Sequence, residues 1–346
     1  MPIDNPIEKR GETFFLNLRF LLIVTVFVSN AMEPLIREMA VLQHLYVWIF
    51  SFHMPLFVLV TGYFARSNLA GAAGRKVLMQ IGLQYVIFQS LYSALDSLLF
   101  HVEDIHRSFF APYLLLWFLA SHLCWRLLML AMRHWSPARQ IAVSVLAGVL
   151  VGYLQLDGVW FSISRTFVYL PYFVIGYHLS FGTLARFYSR RIKRAALAVS
   201  AALFAALAAF GGAIPFGWLL GSMTYAELGA GQWYAGLYRL GMYALQIAAS
   251  AAFLGWVPFA ETRLTDWGRR TLYVFLLHGL IVRFAVFSGV YEQITGPAGA
   301  GLVILCAVLL TIALAQPAVK RWLHPIMEPS VSWMITLQRA ALRRTL

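Results

Sequence analysis

Charge is scarce in this chain. Only 12% of its 346 residues are charged, whereas 61% are apolar. A soluble domain carries about 25% charged residues, so a fully water-exposed surface is excluded. Cysteine is scarcer still: Cys124 and Cys306 are the only two, and both lie inside apolar runs. Neither has metal-ligand spacing, so both read as packing residues and no metal site is expected. Acidic residues number 14 against 27 Lys and Arg, giving a formal net charge of +13. Among long apolar runs this excess marks cytoplasmic loops that orient membrane spans, and no nucleic-acid partner is expected. Phosphate-binding loops, dinucleotide fingerprints and serine nucleophile elbows are absent too. So are fixed-period repeats and low-complexity tracts, and the N-terminus, MPIDNPIEKRGET, is too polar for a cleavable signal peptide.

What the chain has is apolar length. Runs of about 20 residues recur from Phe14 almost to Gln316, long enough for helices to cross lipid and unlike the short alternating strands of a barrel. The expected fold is all-α, a polytopic membrane helical bundle of about ten transmembrane helices. The ten segments are 14–33, 45–64, 78–100, 112–131, 140–155, 164–181, 195–213, 236–257, 271–290 and 299–317. Residues 1–13 form a cytoplasmic N-terminal segment, 14–318 one membrane domain and 319–346 a basic cytoplasmic tail.

Alternate connections are basic. Lys9 and Arg10 precede the first segment, and Arg66, Arg75 and Lys76 follow the second. Arg133 and Arg139 follow the fourth, and Arg186, Arg190, Arg191, Lys193 and Arg194 the sixth. Arg263, Arg269 and Arg270 follow the eighth; Lys320, Arg321, Arg339, Arg343 and Arg344 follow the tenth. Arg37 and Arg107 are isolated on the other side, beside Glu38 and beside Glu103 and Asp104. The alternation puts both termini in the cytoplasm of a multi-pass protein of the plasma or inner membrane. Residues 211–236, rich in Gly and aromatics, read as an outside loop that dips partly into the membrane. From Trp322 onward, Met334, Leu337, Ala340 and Ala341 recur at helical spacing: either an interfacial helix on the inner leaflet or a disordered basic tail.

Polar residues inside apolar spans are costly and need a partner or a task. The first segment carries Asn17, Arg19, Asn30 and Glu33. At about 100° per residue, Arg19 and Asn30 fall within about 20° of one face and roughly 16 Å apart along the axis, and Glu33 lies a turn beyond. Either this stripe faces other helices or Arg19 snorkels to the headgroups. In FSFHMPLFVLVTGYFAR, His53 sits near mid-span with Pro55 two residues on; His278 falls at similar depth in the ninth segment. A neutral imidazole suits general-base work near neutral pH, so the two, with Asn30, suggest a functional cavity; packing with one hydrogen bond is the alternative. His122 and His178 read as core packing. Gln80, Gln84 and Gln89 form a ragged polar stripe that should face other helices. Glu33, Asp96, Arg165, Arg239 and Arg283 all belong to the outer half, where they either line a vestibule for a polar, sugar-like acceptor or form interhelical ion pairs.

Several stretches, in order, carry a resemblance: LNLRFLLIVTVFVSNAMEPL at 16–35, FHMPLFVLVTGYFAR at 52–66, LLWFLASHL at 115–123, RTFVYLPYFVIGYHL at 165–179 and GRRTLYVFLLHGLIVR at 268–283. Together they resemble the acyltransferase-3 family of integral membrane O-acyltransferases, especially its fucose-4-O-acetylase-like branch, across most of residues 14–318. The resemblance implies transfer of an acyl group, usually acetyl, from cytoplasmic acyl-CoA to a hydroxyl of an extracytoplasmic glycan or glycolipid, with no permanently bound cofactor. It makes Arg19 the counterpart of the family's first-span Arg, but Asn30 stands where the family has a proton-transferring His. His53 then becomes the expected base, His278 the second candidate, and Asn30 and Glu33 complete the catalytic set. Arg19, Arg66, Arg75, Lys76, Arg269 and Arg270 are the expected contacts to CoA phosphates, and Arg165, Arg239 and Asp96 those to the acceptor. Export of a polysaccharide or lipid-linked sugar is the alternative from another class; a catalytically silent relative, favoured by Asn30, is a third.

Overall fold

Proline and glycine punctuate the apolar runs, and the helices start and stop at them. Ser136 caps the helix that begins at Pro137 by accepting from the backbone N–H of Arg139, and Pro317 opens another at a position where no amide donor is required. The computed structural model describes residues 6–100, 108–154, 160–187, 189–210, 216–334 and 336. In chain order the helices are α1 (Pro6–Met32), α2 (Ala40–Ala65), α3 (Gly71–Leu98), α4 (Trp117–Ala131), α5 (Pro137–Leu150), α6 (Ile163–His178) and α7 (Phe181–Phe187). Then come α8 (Arg190–Phe210), α9 (Gly217–Leu220), α10 (Ala235–Leu254), α11 (Arg263–Gly268), α12 (Thr271–Phe287), α13 (Gly296–Leu314) and α14 (Pro317–Met327). Helix makes up 81% of the structure, and no strand occurs among the described residues.

Among the described residues, six helical segments are long and apolar enough to cross a membrane: Lys9–Leu35, Ala40–Asn68, Leu114–Ala131, Arg191–Ala209, Ala235–Leu254 and Gly296–Leu314. Pro137–Tyr153 and Thr271–Phe287 are apolar but shorter. α3 is long, but Arg75, Lys76 and three glutamines dilute its hydrophobicity, and α6 has only 16 residues.

α1 and α2 are the central helices, with 72% and 78% of their apolar windows buried, against 17% for the peripheral α8 and α13. α2 and α6 touch backbone to backbone. Gly62 lies on the carbonyl of Phe173 and Gly176 on that of Leu59, so a Cβ at either would overlap main chain that cannot rotate away. Gly176→Val should therefore push the helices apart at a cost of about 1–3 kcal/mol, read as a lower thermal midpoint in detergent. Gly82→Val, where nothing lies within 4 Å, is the control and should leave the midpoint nearly unchanged.

The polar face of α1 is used inward. Asn17 donates to the carbonyls of Pro258 (2.9 Å) and Ala260 (3.0 Å) and accepts from the Thr265 hydroxyl (2.6 Å), pinning the connection between α10 and α11. Between α11 and α12, Arg270 donates to both oxygens of Asp266 in α11 and holds this carboxyl below the usual carboxylate range. A depressed carboxyl pKa stabilises at neutral pH and ceases to do so as the pH falls through it. Gln84 and Gln89 do face inward: Gln84 donates to Met327 O (2.7 Å), and Gln89 bridges Ala111 O (2.9 Å) and Tyr113 N (2.9 Å).

The stretch after 215 packs against the helices: Tyr169 donates to Leu219 O (2.8 Å), Tyr225 donates to Gly152 O and Val149 O, and Trp218 and Tyr225 are buried. Residues 211–215 lie outside the described residues, as do Glu103, Asp104 and Arg107. Two expectations change. The C-terminal amphipathic helix begins earlier, at Pro317, and breaks after Met327, with Trp322 81% exposed. Leu337, Arg339, Ala340, Ala341, Arg343 and Arg344 are outside the described residues. Cys306 is not packed inside the chain; it is exposed on α13, whose outer face presents apolar residues to the surroundings.

Candidate functional site

Because the helices run alternately up and down, the end of α1 at Glu33 gathers the start of α2, the end of α3, the starts of α4 and α6 and the end of α12. A cavity of about 570 Å³ lies at this Glu33 end. Asn30, Glu33, His53, Arg165, His278 and Arg283 all line it, together with the rings of Tyr46, Phe50, Trp117, Tyr169 and Phe216. Six polar residues from α1, α2, α6 and α12 thus converge on one volume. A second cavity, about 220 Å³, sits toward the opposite end, lined by Arg19, Asn68, His122 and Arg126 among others. Phe118 of α4 and Phe275 of α12 line both cavities and form the partition between them.

His53 is 2% exposed. Its Nδ1 is 2.8 Å from Ile49 O, an atom that can only accept, so Nδ1 carries the proton. Nε2 is left with a lone pair and no hydrogen-bond partner among the described residues. Phe50 holds the ring edge-on at 4.4 Å. His278 is fully buried and fixed in the same tautomer, because Nδ1 meets the carbonyls of Phe275 (2.7 Å) and Val274 (3.1 Å). Its Nε2, however, is engaged: it accepts from the Asn30 amide at 3.0 Å. One imidazole therefore offers a free base, and the other orients an amide.

Asp96 does not line the large cavity. It is 1% exposed and chelated by Arg283, Nε to Oδ1 at 2.8 Å and Nη2 to Oδ2 at 2.5 Å, and it also accepts from the Tyr113 hydroxyl. The interhelical ion pair is thus realised here, and through it Asp96 positions Arg283, which does face the cavity. Arg239 is likewise set back. It is 1% exposed, donates to Trp218 O at 2.8 Å and lies over the Trp218 ring, so it pins the segment after α8 instead of meeting a ligand. Arg165 is different: its guanidinium lies 5.1 Å over the Trp117 ring and has neither hydrogen bond nor ion pair among the described residues.

On the other side, Arg19 lies 5.3 Å over the Phe64 ring and lines the small cavity, so it does not share a volume with Asn30. Arg66, Arg75 and Lys76 are exposed at the same end without lining it. Arg269 pairs with Glu12 at 3.1 Å. Arg270 is 8% exposed and fully engaged by Asp266 and Ala315 O, which leaves its fork unavailable to a phosphate.

Arg126 is what sequence reasoning missed. It is 2% exposed, donates to Asn68 Oδ1 at 3.0 Å and to the Asn68 carbonyl, and keeps a buried Nε without a hydrogen-bond partner among the described residues. The signal was present, a charged residue inside WFLASHLCWRLLML, and it is the same signal that singled out Arg19. His122 also lines this cavity with an unpartnered Nε2, which a packing role alone does not explain. His178 lines neither cavity and donates to Gln140 Oε1 at 2.6 Å. No family model, curated protein or solved structure matches the chain.

Proposed function

We propose that this protein is a membrane O-acyltransferase that moves an acyl group, acetyl in the simplest case, from acyl-CoA to a hydroxyl of a cell-envelope glycan or glycolipid. The observation that carries this reading is the pair of cavities lined by opposite ends of the same helices and separated by Phe118 and Phe275. A donor from one side and an acceptor from the other would meet at such a partition, and His53, Asn30 and His278 line the large cavity on one side of it. The basic flank of the small cavity, Arg19 and Arg126, suits the phosphates of CoA. The charge alternation of the loops supports an orientation with that end, and both termini, in the cytoplasm, and a ten-span arrangement in the cell membrane.

The chemistry divides among the residues present. The acceptor hydroxyl attacks the thioester carbonyl as His53 Nε2 takes its proton; the C–S bond breaks, and the departing thiolate recovers that proton from the imidazolium. Asn30 has two amide hydrogens. His278 Nε2 holds one, which aims the other at the carbonyl oxygen as negative charge develops there. His278 is thus a positioning residue in this scheme and His53 the base.

Purified protein in detergent or liposomes should bind acyl-CoA and hydrolyse or transfer its acyl group; absence of acyl-CoA binding removes the reading. Arg126→Ala should raise the KM for acyl-CoA about ten-fold with a smaller change in kcat, as loss of a ground-state phosphate contact requires. Reporter fusions after Lys76, Arg139 and Arg194 should report the cytoplasm and one near Glu227 the outside; any reversal among them breaks the two-sided scheme.

One observation favours export of a lipid-linked sugar as a second reading: the two cavities meet end to end, as a transport path would. Accumulation of such a sugar in vesicles without an acyl donor would select it. Asn30 keeps a silent relative in view, and Asn30→His tests it: acyl transfer appearing only in the variant would mean the native chain lacks that step.

A further inference from the structure

Arg165 is the unusual charge at the Glu33 end. Arg239 donates to Trp218 O, and Arg283 is neutralised by Asp96. Arg165 has neither kind of partner among the described residues, although it is partly buried in the first turn of α6. Removing a guanidinium from water is expensive unless an anion or acceptors replace the water. Among the described residues the compensation is the face of Trp117, with the Tyr169 phenol nearby, and neither fills the guanidinium's N–H donors in the cavity.

We propose that Arg165 is the binding site for a carboxylate on the acceptor, so that the glycan is an acidic one of the uronic-acid type. This rests on the acyltransferase reading and names the substrate class of that same site. A planar carboxylate matches the guanidinium fork with two parallel hydrogen bonds. The balance of charge favours a single negative charge over a phosphate or diphosphate. Glu33 lines the same cavity with no ion-pair partner among the described residues, so a multiply charged group would be held by one Arg and opposed by one Glu. Glu33 is instead suited to accept hydrogen bonds from sugar hydroxyls, and Tyr46, Phe50, Trp117 and Tyr169 offer rings for the apolar faces of a pyranose.

The test is a binding measurement that needs no acyl donor, so its failure is separable from failure of the acyltransferase reading, which acyl-CoA binding decides. The full chain in nanodiscs is titrated with a glucuronic-acid-containing disaccharide, with the matching glucose disaccharide and with geranyl phosphate, following tryptophan fluorescence and calorimetry. The acidic disaccharide should bind about ten-fold or more tighter than the neutral one, the scale expected of a charge-assisted pair. Arg165→Gln should abolish that preference, and Arg165→Lys should restore part of it by charge without the fork. Equal affinity for acidic and neutral disaccharides in the wild type overturns the proposal, whatever the variants do. A preference that persists in Arg165→Gln overturns it as well. Tighter, Arg165-dependent binding of geranyl phosphate than of the glucuronate overturns the carboxylate assignment in favour of a lipid phosphate.

Discussion

Under the proposed acyl transfer, His53→Ala is expected to lower the rate by about 10²- to 10⁴-fold, the range for loss of a positioned general base, with little change in the affinity for acyl-CoA. The argument is one of tautomers. Ile49 O fixes the proton on Nδ1, so Nε2 presents a lone pair to the cavity without any rearrangement. His278 starts from the same tautomer, but its lone pair is already filled by Asn30. His278→Ala should therefore act through Asn30 alone: a loss nearer ten- to a hundred-fold, shared by Asn30→Ala and not compounded in the double variant, since the two form one unit. Initial rates of transfer with each single and double variant decide the matter. Undiminished activity in His53→Ala would remove it as the base while leaving the enzyme; a larger loss in His278→Ala would exchange the two roles.

Asp96→Ala is the largest expected effect on stability, about 3–5 kcal/mol, because removing one partner of a buried pair leaves the other charge uncompensated. Asp96 is 1% exposed and receives two hydrogen bonds from Arg283 and one from Tyr113. Its loss strands a guanidinium in the wall of the large cavity and unfastens α3 from α12. Thermal or denaturant unfolding in detergent measures it. Asp96→Ala with Arg283→Met should recover most of the loss, since no charge is then left behind. A double variant as unstable as the sum of its two single variants would show that the pair is not the source.

The helices were legible because the apolar runs are long and most end near Pro, Gly or a basic cluster: α1–α6, α8, α10, α12 and α13 overlap the ten segments read from sequence. The candidate site was legible only as a set of residues in the wrong surroundings for their chemistry. Asn30 and His278 both stood out, yet they are 248 positions apart, and no periodicity could say that one fills the lone pair of the other. The vestibule charges illustrate the same limit. Asp96, Arg165, Arg239 and Arg283 look alike in sequence, and only packing separates a chelated pair and a structural donor from a free guanidinium. Arg19 and Asn30 lie roughly 16 Å apart along α1 by helix geometry, but that distance could not say that they line different cavities. Residues that pin the 216–234 segment, Tyr169 and Tyr225 above all, gave no signal, since tyrosine is ordinary at any membrane interface.

The partition of Phe118 and Phe275 carries an electrical consequence. On the proposed orientation, with water and ions reaching each cavity from its own side, the two bulk potentials would come to within about the thickness of a ring pair of each other. The membrane voltage then falls across that short distance instead of across the whole bilayer. A unit charge displaced past the two phenylalanines does work of about 2.3 kcal/mol per 100 mV, so an anionic intermediate formed at the rings, or a proton handed across them, has a rate set in part by the energised state of the cell.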